Sequence, residues 1–375
     1  MNRKKIISAI LAVSVCASAA MTGCGKSGTS ASAPTLNVET IAGSDTQAAA
    51  ESTAASSETA TETASGDTYK SELTNEPIST SIKDQRPIAV MVDNESLALP
   101  HYGTADADIV YELMNSTLNG RITRLMCVVK DWENIKQLGS IRSTRPTNIP
   151  LAAEWNAVLC HDGGPFYIDD YLSRDYAAHF SGTFSRVSNG KSREYTEYIM
   201  PGDLDKNFKN SNYSTTYNDY YPGSHYQFAD ASSPVELDSA YKSSFEASNV
   251  TLPFSHNKSA LKYNEKTQTY DYYEYGKAHK DGGTDKQLTF KNVLIQDCSF
   301  SQLDKNGYLV YNYLDKDEKG YYLTNGKGIK VTWTKASDTD PTRYYDGSGK
   351  EIKINTGKTY VTLIPEDSWS NVSFN

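Results

Sequence analysis

Cysteine is scarce in this chain. Five are spread over 375 residues, with no CxxC pair and no Cys–His spacing of the kind that holds zinc, so no metal site is expected. A basic excess is also missing. Lys and Arg total 37 against 46 Asp and Glu, a net charge of -9, which removes the basic face that general nucleic-acid binding requires. A local basic site stays allowed. No apolar run reaches the roughly twenty residues of a membrane-spanning helix; the longest candidate is Ile6 to Ala20. Reaction signatures are absent too. There is no GxSxG elbow, and SxxK at Ser188, Ser239 and Ser255 lacks an accompanying KTG or SDN. "DGSGKE" lacks the first glycine and the hydroxyl of a P-loop, and "DKDEKG" opens like an EF-hand but has Gly326 in place of the bidentate glutamate. No cofactor is implied.

What is present at the N-terminus gives an address. Arg3, Lys4 and Lys5 precede the short apolar run, which ends in "MTGC". Gly23 before Cys24 resembles a bacterial lipobox, so residues 1–23 are expected to be a signal peptide and Cys24 to carry lipid. Cys16 follows bulky Val15, which suits the cleavage pocket less well. Acyl chains contribute about 0.8 kcal/mol per buried methylene and anchor a protein without a helix. Residues 24–83 are rich in Ser, Thr, Ala and Glu and read as a disordered tether. Cys127, Cys160 and Cys298 remain, an odd count. They read as buried thiols, with one disulfide left open.

Beyond the tether, "PIAVMVDN" and "RITRLMCVVKD" read as strands buried on both faces, and "ADADIVYELM" has the spacing of a short helix. "TNIPLAAEWNAVLCHDGG" predicts a helix followed by a strand ending at His161. This alternation predicts an α/β (α+β) N-terminal domain over 84–235 with a mainly parallel or mixed sheet. After that the chain turns into short Tyr- and Val-rich runs separated by Asn-Gly, Asp-Gly and Gly-Lys turns. They predict a mostly antiparallel β domain over 240–375. Most of the 27 tyrosines fit half-exposed sheet faces. Tyr220, Tyr221 and Tyr226 read as lining a groove between the domains.

The run "LGSIRSTRPTNIPLAAEW" carries the strongest chemical signal. With Ser143 or Thr144 as cap and Pro146 in the first turn, the helix tip lies beside Arg142 and Arg145, an arrangement that holds anions. The alternative is that one arginine pairs with Glu112 or Asp93. If the strands before Asp93–Asn94 and His161-Asp162-Gly163-Gly164 run parallel, their ends share an edge with the arginines. The candidate ligand site is therefore Asp93, Asn94, Arg142, Ser143, Arg145, His161, Asp162, Gly163 and Gly164. Asp93 and His161 are the candidates for acid–base work if a reaction occurs.

"RPIAVMVDN", "ADIVYEL", "GRITRLMCVV", "GSIRSTRP", "HDGG" and the tail "GKGIKVTWTKASDTDPTRYYDGSGKEIKINTGKTYVTLIP" together resemble the YerB-like family of bacterial lipoproteins, from Arg86 to Pro365. The resemblance implies an envelope lipoprotein with an α/β part and a β-rich part. It implies no reaction. The chain departs from the family at "KSREYTEYIMPGD" (Lys191 to Asp203), where relatives often carry a Pro-His-Asn segment. The expected function is a membrane-anchored extracytoplasmic binding or accessory protein that recognises an anionic ligand. A cell-wall glycan, an anionic polymer or an envelope protein is the expected partner. The alternative is an enzyme on a phosphate-bearing wall precursor.

Overall fold

All six side chains of Ile88–Asp93 are buried, and the chain accommodates them as a strand with apolar layers on both faces. The structure, a computed structural model, describes residues 67–375. The expected signal segment, Cys24 and the tether as far as residue 66 lie outside the described residues. Eleven strands form one mixed sheet, numbered here in chain order: β1 (Ile88–Asp93), β2 (Ile109–Met114), β3 (Thr123–Val129), β4 (Val158–His161), β5 (His179–Ser181), β6 (Phe245–Glu246), β7 (Asn292–Cys298), β8 (Asp315–Thr324), β9 (Lys327–Lys335), β10 (Arg343–Tyr345) and β11 (Thr359–Pro365). The spatial order is β6-β9-β8-β7-β11-β2-β3-β1-β4-β5, with β10 on β9. Pairs β1–β4, β4–β5, β7–β11 and β11–β2 are parallel, and the others are antiparallel. A six-stranded antiparallel sheet, including Ala260–Asn264 and Thr269–Glu274, forms a second layer.

The pleat sorts the strands' side chains into two cores. Ile88, Val90, Val92, Leu125 and Cys127 face Leu261, Tyr270, Tyr272 and Phe290 of the second sheet. Ala89, Met91, Tyr111, Met126 and Val128 face Ile149 and Leu151 of α1 (Asn148–Ala153) and Trp155 beyond it. Each such Val, Leu or Ile contributes roughly 1.5–3 kcal/mol by burial. Whether the C-terminal sheet stands alone was open in the sequence. It does not: β11 hydrogen-bonds β7 on one side and β2 on the other, so both halves of the chain share one sheet.

Three expectations need correction. The helix expected within Ala105–Met114 is strand β2, preceded by a single 3-10 turn at Thr104–Asp106. The spacing suggested one exposed helical face, but Glu112 within the run is fully buried and hydrogen-bonded, so the run is covered on both sides. The tether does not extend to residue 83. Thr68–Lys70 pairs with Pro77–Ser79, Leu73 is fully buried, and Glu72 pairs with buried Lys130. Tyr226 does not line a groove. It is buried edge-on to Trp155, while Tyr221 stacks on Tyr217.

Cys127, Cys160 and Cys298 are free and buried, and burial pushes the Cys127 thiol up to about 12. A thiol held protonated and inaccessible is a poor nucleophile. In the folded chain, site-resolved mass spectrometry after maleimide treatment should find all three unmodified, with full labelling in denaturant. Rapid labelling of any of the three in the native chain would contradict this packing.

Candidate functional site

The parallel ends of β1 and β4 leave a gap that the segment after Ser140 fills. Val92 bridges to Ile141, Arg142 N donates to Met91 O at 2.9 Å, and Asp162 N donates to Arg142 O at 3.1 Å. Thr144 N donates to Gly163 O at 3.1 Å, and Ser143 Oγ donates to Asp162 O at 2.9 Å. Asp93, Arg142, Ser143, Asp162 and Gly163 therefore converge at one sheet edge.

The helix tip is not part of this site, a correction to the expected cap. α1 is six residues long and starts only at Asn148, with no side-chain cap at Thr147. What gathers instead is a third arginine. Antiparallel register places Arg124 of β3 opposite Asp93. Arg142 Nε lies 2.7 Å from Asp93 Oδ2, and Arg124 Nη2 lies 3.7 Å from Oδ1. Arg142 Nη2 also meets Glu194 at 3.0 Å, a carboxylate half in solvent. Arg145 pairs with no carboxylate among the described residues. It donates to the carbonyls of Asn115 and Thr144 and lies 5.0 Å over the Tyr308 ring. Burial weighs first against the charge of Arg145, then the neighbouring Arg124. Arg124 is buried, and its Nε has no partner. Three guanidiniums thus face two carboxylates, one of them half-exposed.

An aromatic surface continues from this cluster. Tyr308 meets Tyr167 edge-on at 6.4 Å, and Tyr167 packs on Phe166, which is 72% exposed. A cavity of about 350 Å³ opens there beside Pro146, Tyr171 and Val310, with Asp169 and Asp170 also on its wall.

The side chains of the other candidates are engaged away from the three guanidiniums. Asn94 turns inward, donating to Thr123 Oγ1 at 2.8 Å. His161 is occupied by Gly163 O at 2.8 Å and His179 at 3.1 Å, and burial pushes it down to about 4. Asp162 pairs with Arg186 at 2.7 Å. The two glycines have separate structural roles. Gly163 adopts φ +68°, a turn conformation that disfavours a side chain, while a Cβ on Gly164 would lie 2.4 Å from Ile168. Glu112, the alternative partner for an arginine, meets none of them; its contacts are hydroxyls and an amide. Arg124, Glu194 and Tyr308 were missed from sequence. The one available signal was an arginine inside the apolar run "RITRLMCVV", where only a carboxylate partner makes burial tolerable.

Comparisons with known proteins fit this layout. Residues 73–214 match the N-terminal domain, and residues 250–361 the C-terminal domain, of the family described as "Protein of unknown function (DUF3048)". A Bacillus subtilis (strain 168) protein named "Putative lipoprotein YerB" is 23% identical over 316 residues, spanning 81% of this chain and 88% of its own length. The crystal structure of YerB from Bacillus subtilis shares the fold, with a TM-score of 0.68 at 21% identity, over 82% of this chain and 99% of that one. Among the described residues, no helix is long and apolar enough to cross a membrane. Both domain matches fall in family order on one continuous fold, and the chain belongs to the two-part DUF3048 family of YerB-like proteins.

Proposed function

We propose that this protein is an extracytoplasmic lipoprotein, tethered through lipid on Cys24, that binds an anionic envelope ligand at the Arg124–Arg142–Arg145 cluster. The observation that carries this reading is the charge imbalance around Asp93: a buried Arg124 with a free Nε, and an Arg145 balanced by no carboxylate. Retaining such charge away from water is costly unless an anion completes the set. Glu194 acts as a displaceable stand-in, since its carboxylate touches Arg142 from a half-exposed position. Phosphate or carboxylate from a ligand takes the same fork geometry, which lysine matches poorly. The aromatic surface from Tyr308 to Phe166 suits the sugar rings of a wall polymer.

The geometry favours binding over turnover. Asp93 is committed to two arginines and His161 to His179 and a carbonyl, so neither is poised over a shared reacting atom.

The test is calorimetry with phosphate-bearing wall-polymer fragments. A charge-assisted hydrogen bond contributes roughly 1.5–3 kcal/mol, so Arg142→Ala and Arg145→Ala should each cost at least about tenfold in affinity. Glu194→Gln frees Arg142 without disturbing buried structure and should tighten binding several-fold. A parent chain that binds no anionic fragment, or affinity unmoved by all three substitutions, defeats the proposal. Turnover of a fragment that is lost in Asp93→Asn or His161→Ala replaces it with the enzymatic reading.

A further inference from the structure

The loop after β1 carries His101 under the hairpin that joins Thr269–Glu274 to Lys277–Ala278. There it meets Glu274 and His279. All three side chains are almost fully buried, at 0%, 2% and 3% exposure, and one ligand atom from each lies within 4.8 Å of the others. The hydrogen bonds fix which atoms are free. His101 Nε2 faces the Asp93 carbonyl at 2.5 Å, and a carbonyl can only accept, so Nε2 carries the proton and Nδ1 presents a lone pair. That Nδ1 is buried with no partner. Glu274 Oε1 takes His279 Nδ1 at 2.7 Å, while Glu274 Oε2 is buried with no partner. His279 Nε2 faces Thr104 Oγ1 at 3.0 Å; coordination through Nδ1 takes the tautomer whose Nε2–H donates to that hydroxyl, in place of the one whose Nδ1–H donates to Glu274. Lone pairs from an imidazole and a carboxylate thus share a closed space with nothing positive between them.

We infer that His101, Glu274 and His279 form a binding site for one divalent transition-metal ion of the zinc class. Two imidazoles and a carboxylate are a donor set that zinc takes with an open fourth position. Bonds of about 2.0–2.2 Å at tetrahedral angles put ligand atoms roughly 3.4 Å apart, so Glu274 Oε1 and His279 Nδ1, now 2.7 Å apart, part slightly to admit an ion, and the three ligand atoms already lie within 4.8 Å of one another. The outer contacts are those that orient metal-bound histidines: a backbone carbonyl on His101 and a hydroxyl on His279. An ion also has a route in. Glu274 and His279 form part of the wall of a cavity of about 520 Å³, bordered by Ser96, Leu99, Tyr275 and Lys277. A fourth ligand would reach the ion from that cavity, where Lys277 at the edge favours an anion. Sequence spacing gives no hint of the site, because His101 and the hairpin pair are brought together only by the packing of the second sheet on the first.

The site is tested on the full chain, expressed without a histidine tag and stripped with a chelator. Titration with Zn²⁺ against a chromogenic competitor should give one ion per chain with submicromolar affinity. His101→Ala and Glu274→Gln should each weaken it at least about a hundredfold, and His256→Ala, a partly exposed histidine paired with Glu95 and contributing no ligand atom, should leave it unchanged. Co²⁺ bound to the parent chain should show the intense visible bands of a four-coordinate nitrogen–oxygen site. That readout needs no variant to fold. Failure of the parent to bind Zn²⁺ or Co²⁺ at one ion per chain overturns the inference. So does binding that survives His101→Ala and Glu274→Gln, or a weak octahedral Co²⁺ spectrum.

Discussion

Lys335→Met should lower the stability of the folded chain by about 3–5 kcal/mol, the usual cost of stranding one member of a buried ion pair. Lys335 and Glu154 are 1% and 0% exposed and lie 3.1 Å apart. Glu154 is the C-cap of α1 and Lys335 ends β9, so the pair joins the two halves of the sequence. Thr342 donates to the same carboxylate from its backbone N at 3.1 Å and its Oγ1 at 2.8 Å, and the Tyr111 hydroxyl takes the other oxygen. Methionine fills the lysine's volume but leaves the carboxylate charged and buried.

The pH dependence has a definite sign. Burial raises the Glu154 pKa, but Lys335 and then His225 and the hydrogen bonds outweigh it, and the net direction is down. A carboxyl depressed in the folded state stabilises above its unfolded value near pH 4.3, and that stabilisation is lost as the pH falls through the folded value. Without Lys335 the depression is lost, so the variant's deficit should be largest at neutral pH and shrink on acidification. Urea midpoints across pH 3.5–8 check it. A deficit below about 1 kcal/mol, or one that is flat with pH, contradicts the pair's role. Adding Glu154→Gln to Lys335→Met should restore part of the loss.

The same contrast between paired and unpaired charge explains what the sequence could reveal. The strands β1, β3 and β4 were legible because a continuous apolar run buried on both faces has few other solutions. β2 was not, because Glu112 interrupts its run and a buried glutamate looks like a surface one until its partners are known. Residues 67–83 were read as tether for the opposite reason. Their apolar content is slight, and they dock through Leu73, the Glu72–Lys130 pair and hydrogen bonds of Thr74 and Asn75 to Gly357 and Thr356. At the site, Arg142 and Arg145 stood out as a local cluster. Arg124 did not, since only antiparallel register sets it against Asp93. His101 and His279 lay in unremarkable loops.

Glu112→Ala should be the most damaging substitution in the β2 strand, at about 4–6 kcal/mol. Five donors converge on this carboxylate: Thr123 Oγ1 and Ser259 Oγ at 2.6 Å, Tyr272 OH at 2.9 Å, Asn94 Nδ2 at 3.4 Å, and the Tyr360 hydroxyl. They come from β3, β11, the second sheet and the loop after β1, so one side chain stitches both halves together. Each buried donor left without an acceptor costs about 1–3 kcal/mol, and Tyr272 can recover part by turning to Ser259. Glu112→Gln keeps one carbonyl oxygen and should cost only about 1–2 kcal/mol at neutral pH. Here burial dominates, and the Glu112 pKa is raised although its hydrogen bonds pull the other way. A carboxyl raised in the folded state binds its proton more tightly there than in the unfolded chain. Its contribution is therefore present below the unfolded value and declines as the pH rises through the folded one. The amide has no such decline, so the deficit of Glu112→Gln should narrow as the pH rises, opposite to Lys335→Met, whose deficit narrows as it falls. Urea midpoints of both variants on one pH series separate the two glutamates. Deficits moving in the same direction would show that charge at Glu112 is not what burial penalises.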